Sequence, residues 1–547
     1  MNTLTIKLKQ HTPLIHFQHD QDGATLRASE VKPKLDKFII KHAFHDNFDE
    51  CKEYLVGYNP QKREDSIKTL RDKWNNGYRA LNYKIRIEST SRIQDVELCF
   101  DQNNKGKYET YYEEITYKNG KEQCNKKPFP FLISDMGGKD SLEELLNMCM
   151  HEEITLIIRT SSSILVEFVY QNISCFFALH NFGQRQTKGF GSFSVVSLKK
   201  DNQQEYTING WDAFKNEFDN GTWILCFELD KSDSAFRKQL MLFSVIDFYW
   251  RCLKSGINYT KRKIIGNDVK EIYPERYIKA YLWTYLNLSS QYKAPNNVCT
   301  WEKRKLKYDF HLETTLPIRN YTDNPNEAVF ARGMMGCPVN YEYRIPTAKL
   351  DDQGKEIIEK HTISIKNFVE NQTNDNERKN IIERIASPII FKPYIEDTKV
   401  YVAVLFDNDL IIKIKEIPEQ KRNFEFTCKG NSTTIPIAPE CIDYPDLIEH
   451  YNSFLSSNTQ CINSLWGNYE KNKYDKTGKW KSYVVVNKNK DGKIESRKCF
   501  GESIAYKFIP RNFKWKNILL PTSNNYEDDK KNDWNKHFVQ IKRIKKQ

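Results

Sequence analysis

The sequence predicts an α+β protein built on two βαββαβ units with insertions and a decorated C-terminal region. Three observations predict it. Leu4, Ile6 and Leu8 alternate with polar residues, the period-two pattern of a half-buried strand. Val31, Leu35, Phe38 and Ile39 recur at helical spacing, and the apolar run Ile164 to Leu179 is long enough for a buried helix. A glycine-rich segment, Asn181 to Phe193, separates that helix from the strand-like run Phe193 to Val196.

Taken in order, the first unit covers residues 1–205. Its first strand leads through a polar loop to a helix with Ser29 as N-cap and Pro33 in the first turn, where proline is tolerated. Tyr83 to Ile87 and Ile154 to Ile158 read as strands, which completes the chain order of a ferredoxin-like unit. An insertion at about 100–145 carries hairpin tips at Asn104 to Lys107 and Asn119 to Lys121. The second unit, 206–425, opens with a strand from Trp223 to Leu229. A helix using Phe236, Leu240, Phe243, Ile246 and Trp250 follows. Pro274-Glu275 is expected to open another helix through Tyr277, Tyr281 and Tyr285. Ile389 to Tyr394, Val400 to Phe406 and Leu410 to Ile414 read as strands. Residues 426–547 form a Lys- and aromatic-rich extension with a helix at Asp446 to Phe454 and hairpins around Gly478 and Gly492. Its tail, ending Lys542-Arg543-Ile544-Lys545-Lys546, reads as an electrostatic anchor or a frayed end.

A chain of 547 residues exceeds one ordinary domain. Its net charge of +12 suits a polyanionic partner, although interspersed acids make the field local and a general lysine bias would give the same excess. Mean hydropathy is −0.71, yet the 13% aromatic share supplies a core and leaves rings for base stacking. Thirteen cysteines without a Cys-x-x-Cys pair imply neither a zinc knuckle nor a disulfide framework, and fit buried thiols in a reducing cytosol. Neither a signal-peptide core nor an apolar stretch of about 20 residues occurs, so a cytoplasmic protein without a membrane partner is expected. No coherent metal-ligand cluster stands out, and no cofactor is expected.

Chemistry concentrates in the glycine-rich segment. Gly183, Gly189 and Gly191 enclose Arg185 and Lys188, with Ser192 directly after. Glycines allow close backbone approach, and N–H groups interleaved with cations suit a phosphate chain. The helix-to-strand order is the reverse of a P-loop or dinucleotide fingerprint, and Gly-Lys-Ser/Thr is absent. The same spacing also suits a turn that merely ends a helix. Arg27, Ser29, Lys32 and Lys34 crowd the predicted start of the first helix, a second place favourable to phosphate. His16, His19, Asp20 and Asp22 share one loop and could move protons in RNA cleavage, though polar surface loops commonly hold such residues. Lys261-Arg262-Lys263 and Arg332, before Gly333-Met334-Met335-Gly336, are further basic candidates.

Arg185 to Phe193 resembles the glycine-rich loop of the RAMP superfamily of CRISPR RNA-binding proteins. The nearest form is the G-x-R-x-x-x-G-F-G-S pattern of the first-numbered RAMP subunit of type III-B (Cmr) effector complexes. Two other segments agree in order. Thr12-Pro13-Leu14, Asp22-Gly23-Ala24 and Leu26 to Leu35 resemble that family's opening, and Arg384-Ile385-Ala386-Ser387-Pro388-Ile389 resembles its R-x-A-S-P-[IL] segment. Pro33, Lys34, Asp36 and Lys37 depart from the usual pattern, and Leu98 to Leu146 and Cys428 to Gln547 match nothing in it. The resemblance implies a non-catalytic, RNA-binding subunit of a type III CRISPR ribonucleoprotein in antiviral defence. Such a subunit holds the 3′ part of the crRNA and the paired target RNA beside other RAMP subunits. The alternative is a metal-independent RAMP endoribonuclease acting on crRNA precursor or target through the His/Asp loop.

Overall fold

The computed structural model describes residues 1–15, 25–89, 92–96, 99–102, 108–118, 121–128, 148–208, 210–229, 235–265, 268–278, 280–288, 300–312, 328–337, 340–350, 356–367, 385–457, 484–488, 494–500 and 540–544. The architecture is α+β with antiparallel sheets. Its two compact units are discontinuous in sequence. One joins Met1–Ile246, Ile390–Leu405 and Lys536–Gln547; the other joins Asp247–Ile389 and Phe406–Asn535.

The first unit starts with β1 (Asn2–Gln10), α1 (Ala28–Ala43), β2 (Lys84–Ser89), β3 (Ile154–Thr160), α2 (Ser163–Leu179) and β4 (Phe193–Lys200). The strands lie in the order β4-β1-β3-β2, with the short strand Tyr206–Thr207 outside β4. β1 is central and antiparallel to both neighbours. Its period-two pattern therefore sends Leu4, Ile6 and Leu8 into complete burial against Val31, Leu35 and Ile39 of α1 and Leu165, Val169 and Ile173 of α2. Each such side chain contributes roughly 1.5–3 kcal/mol through its removal from water. The Ser162 hydroxyl accepts the Leu165 N–H at 3.1 Å and starts α2.

A second sheet in this unit contains β5 (Trp223–Glu228), β6 (Ile389–Glu396), β7 (Lys399–Phe406) and β8 (Gln540–Arg543), ordered β8-β5-β7-β6. That order repeats the first sheet's, and α3 (Ala235–Lys254) follows β5 as α1 follows β1. Within the C-terminal tail, Gln540–Arg543 is thus a paired strand rather than a loose anchor or a frayed end: β8 pairs with β5 and Ile544 is buried.

In the second unit, Asn340–Leu350 and Glu356–Asn367 form a long hairpin continued by Asn423–Cys428 and Asn431–Pro436 into a four-stranded sheet. The Tyr249 hydroxyl donates to Asn452 Oδ1 at 2.9 Å, and Tyr451 donates to the Tyr249 carbonyl at 2.8 Å, within the helix packing of this unit.

Four local expectations are corrected. The N-cap of α1 is Arg27, so Ser29 lies inside the helix and Pro33 falls in its second turn. Asp268–Ile278 is a strand paired with Ile257–Ile265, not the start of a helix. Pro274 stands opposite Thr260 at a shift of register, a place where a sheet tolerates a missing N–H. The helix begins only at Tyr281. Leu410 to Ile414 belongs to a helix, Asn408–Lys415, because Asp407 Oδ1 caps the Leu410 N–H at 3.0 Å and Ile411 and Ile414 share its buried face. A short apolar run carries too little periodicity to separate the two states. In the insertion, Tyr108–Lys118 pairs with Lys121–Pro128 around residues 119–120. Among the described residues, no helix is long and apolar enough to cross a membrane.

Candidate nucleic-acid interface

Three segments remote in sequence converge on the loop between α2 and β4. The loop closes on itself first: the Phe182 N–H donates to the Gly191 carbonyl at 2.9 Å, and Asn181 and Ser192 form an isolated antiparallel bridge. Gly191 has φ +66°, and a Cβ there would lie 1.9 Å from the Phe182 oxygen. Gly189 has φ +91°, and its Cβ would lie 2.9 Å from Pro393 Cγ. Only glycine meets both demands.

The segment after β1 locks the loop from one side. Thr12 Oγ1 donates to the Gly189 carbonyl at 2.7 Å and accepts the Ser192 N–H at 2.9 Å. The Pro13 carbonyl accepts the Gly191 N–H at 2.9 Å, and the Ile15 carbonyl accepts that of Gln184 at 2.9 Å. β6 locks it from the other side. Asn181 Nδ2 donates to the Phe391 carbonyl at 2.8 Å, and Ser192 Oγ to the Pro393 carbonyl at 2.6 Å. Lys392 Nζ donates to His180 O at 2.8 Å and Phe193 O at 3.0 Å, one carbonyl at each end of the loop. Complete burial pushes the Lys392 ammonium well below the ordinary lysine range, and the nearby charge of Lys34 adds to this. His11 is also buried. Its Nδ1 accepts the Ile395 N–H at 3.0 Å, which leaves Nε2–H to donate to Ser194 Oγ at 2.8 Å. Burial, then Lys9 and Lys392, lowers its pKa well below the ordinary histidine value, so the ring is neutral. Phe190 is completely buried, stacked on Phe243 with centroids 4.0 Å apart.

α1 holds the loop as well, and here the expected site residues divide. Lys34 Nζ donates to Gln186 Oε1 at 2.8 Å, to the Asn181 carbonyl at 3.1 Å and to Glu30 Oε1 at 3.3 Å. Burial lowers its pKa, against the opposing pull of Glu30. Glu30 Oε1 also accepts the Gly183 N–H at 2.7 Å. Lys32 donates to Asp36 at 2.7 Å and to the Leu81 carbonyl at 2.8 Å, with its ammonium 4.2 Å from the Tyr83 ring centroid. Lys32 and Lys34 are thus held by protein partners rather than displayed to phosphate. The N–H groups of Gly183, Gly189, Gly191 and Ser192 are likewise taken, that of Gly189 by the Gln186 carbonyl at 3.1 Å. The expected cradle of backbone N–H groups therefore faces protein.

The tip is the more exposed part of the loop, although Arg185 Nε is buried. Residues 184–188 are half-exposed, while 189–193 are buried. A short 3₁₀ turn, Gln186–Lys188, carries Lys188, and Arg185 before it has φ +55°. Arg27 is half-exposed and Ser29 exposed at the start of α1, beside the loop that Glu30 and Lys34 bind. Arg332 is withdrawn instead: its Nε donates to the fully buried Glu302 and its guanidinium covers the Tyr341 ring at 4.3 Å. Lys261-Arg262-Lys263 lies on the strand Ile257–Ile265. His16, His19, Asp20 and Asp22 lie outside the described residues. Among the described residues, no group of three or more His, Cys, Asp or Glu side chains is placed to hold a metal. Sequence reasoning missed Lys392, His11, Thr12 and Asn181 as loop-holding groups. Lys392 carried a signal, a single cation in the apolar run Ile389 to Ile395.

A glycine-rich loop between the second helix and fourth strand of a βαββαβ chain order, closed by a Thr-Pro turn, defines a RAMP-type protein. The chain belongs to the Cmr1 family: residues 1–257 match the Cmr1 N-terminal domain and residues 277–476 the Cmr1 C-terminal domain. No curated protein matches it. Among solved structures it is similar to a chain of the "Cryo-EM structure of the Type III-B Cmr-beta bound to cognate target RNA". The identity is 11%, over 74% of this chain and 94% of that one, with a TM-score of 0.27. It is also similar to the apo crystal structure of Cmr1 from Pyrococcus furiosus. There the identity is 11%, over 46% of this chain and 73% of that one, with a TM-score of 0.23.

Proposed function

We propose that this chain is a non-catalytic, RNA-holding subunit of a type III-B CRISPR effector complex, built on two ferredoxin-like units. It would hold the 3′ part of the crRNA and the paired target RNA alongside other RAMP subunits. The strand order 4-1-3-2, found in both sheets of the first unit, supports the paired ferredoxin-like reading. The observation that carries the RNA reading is the rigidly held tip with Arg185 and Lys188, beside Arg27 and Ser29 at the start of α1. Contacts from such groups go to phosphate and sugar, and sequence would be read by guide–target pairing.

The test is Arg185→Ala with Lys188→Ala in the full chain. RNA affinity should fall, and the log–log salt slope should flatten by roughly 0.7 for each lost single-strand phosphate contact. A folded double mutant with unchanged affinity and slope rejects the tip as a phosphate site. Replacing His16, His19, Asp20 and Asp22 together by Ala should leave target cleavage by the assembled complex intact. Loss of a cleavage site at unchanged RNA binding would favour the endoribonuclease alternative.

A further inference from the structure

In the first unit, α1 and α2 pack on the sheet face that carries Leu4, Ile6 and Leu8. On the opposite face, strand register sets side chains in rows across β2, β3, β1 and β4. Lys84 of β2 stands directly opposite Arg159 of β3, which stands opposite Thr3 of β1. Two residues along, Arg86, Ile157, Thr5 and Lys199 form the next row. The four cations in these rows are exposed, and Thr3, Thr5 and Ile157 are half-exposed.

Two like charges directly opposite each other on neighbouring strands destabilise a sheet. Neither Lys84 nor Arg159 forms an ion pair with a described residue. The acids near them are engaged elsewhere. Glu88 holds Arg86 at 2.8 Å, and Glu153 and Glu205 each lie 3.7 Å from Lys7, one row further on. Asp201, at the end of the first row, accepts the Thr3 N–H at 2.7 Å. The sheet thus keeps a cationic pair that the described carboxylates leave unneutralised, and an anion from outside the chain relieves the repulsion.

We infer that this face binds the sugar–phosphate backbone of single-stranded RNA, at a site separate from the glycine-rich loop. Guanidinium, ammonium and threonine hydroxyl groups are the donors that phosphate contacts use. The rows lie about 7 Å apart along the strands, so one strand of RNA can engage both. An acidic protein fits less well, because Ile157 is the one apolar side chain in the two rows and protein interfaces centre on an apolar core. No aromatic ring stands in these rows, so bases do not stack here and binding is indifferent to sequence. The patch lies at the other end of β1 from the loop, with Thr3 about 24 Å from Gln10 along the strand. The inference rests on the reading that the chain holds RNA, but not on Arg185 or Lys188.

The experiment measures binding of a fluorescein-labelled oligouridine to the full chain across a salt series, beside thermal melts. Arg159→Glu places opposite charges across the two strands, so the melting temperature should rise by about 1–2 °C. RNA affinity should nevertheless fall by about tenfold, and the log–log salt slope should flatten by at least about 0.7. Stability and binding then move in opposite directions, which unfolding cannot produce. Lys84→Glu reverses the same pair from the edge strand and decides the matter if Arg159→Glu does not fold. Lys68→Glu, an exposed reversal on the helix Arg63–Asn75, controls for net charge and should change affinity less than twofold. With Arg185→Ala and Lys188→Ala already in place, Arg159→Glu should weaken RNA by the same factor as in wild type. If that loop variant leaves RNA binding unchanged and Arg159→Glu still weakens it, the loop assignment fails and this one stands. The inference is overturned if folded Arg159→Glu keeps wild-type affinity and slope, or if Lys68→Glu weakens binding as much. It is also overturned if polyglutamate of equal charge displaces the RNA as well as unlabelled oligouridine does, or if wild type does not bind oligouridine.

Discussion

The carbonyl oxygen of Phe182 occupies the space that a side chain at Gly191 would need: a Cβ there would come within 1.9 Å of it. The contact exists because Phe182 donates its N–H to the Gly191 carbonyl while its own carbonyl turns toward the Gly191 Cα. The glycine thus serves the packing of the loop upon itself. From the sequence, Gly191→Val would be expected to impair RNA binding with little loss of fold. The geometry reverses that expectation. Gly191→Ala should lower stability by at least about 3 kcal/mol, as positive φ and a backbone clash combine. Gly430→Ala, also at positive φ but with nothing within 4 Å of its Cβ, should cost only about 1 kcal/mol. Denaturant melts of the two proteins measure the difference.

Phe190 and Phe243 stack at 4.0 Å with 13° between their planes, and Phe190 is fully buried. Phe190→Ala should cost about 3–5 kcal/mol, and Phe243→Ala should not add fully to it because the two rings share one contact. A Phe190→Ala protein that melts like wild type but loses RNA would mean that the ring serves the ligand rather than the core.

Lys392 gives a pH prediction. Its folded-state pKa lies well below 10.5, the value in an unfolded chain, because burial disfavours the ammonium. Between those two values the unfolded chain binds the extra proton, so this group makes stability rise with pH until 10.5 is reached. Above its lowered folded-state value and below 10.5, wild type should gain up to about 1.4 kcal/mol per pH unit from this one proton relative to Lys392→Met. Equal slopes for the two proteins would place the proton elsewhere. Lys392→Met should also loosen the loop, which hydrogen exchange at Phe182 and Gly191 would report.

Lys34 and the tip cations should separate cleanly. Lys34 makes two hydrogen bonds that tie α1 to the loop and a third to Glu30 within α1, so Lys34→Met should lower both the melting temperature and RNA affinity. Arg185→Ala with Lys188→Ala should lower affinity and the salt slope at a melting temperature within a few degrees of wild type. If Lys34→Met left the melting temperature unchanged, the lysine would be a phosphate contact after all.

Much of the first unit was legible because its signals are local. Period two in Leu4, Ile6 and Leu8, and the long run from Ile164 to Leu179, each bury one face or a whole element, and the structure keeps both within a residue or two. Short runs misled: Leu410 to Ile414 has five residues, and the side-chain cap from Asp407 decides its state. Pro274 resembled a helix start until its strand partner supplied a register shift that accommodates it.

By itself, the sequence determined the long periodic elements of the first unit and where a glycine-rich turn interrupts them, since periodicity and glycine placement act over a few residues. It also placed Thr12-Pro13, Gly189 to Ser192 and the segment after Ser387 as three separate landmarks. Only the tertiary structure decided that Thr12, Lys34 and Lys392 all spend their donors on the same loop. It likewise decided that β8, over 300 residues from β5 in the chain, completes that strand's sheet. The physical reason is that a lysine's charge makes it look available in a sequence. Its hydrogen-bond capacity is satisfied by whichever carbonyls and carboxylates the fold brings within 3 Å, and those come from chain segments no local pattern connects.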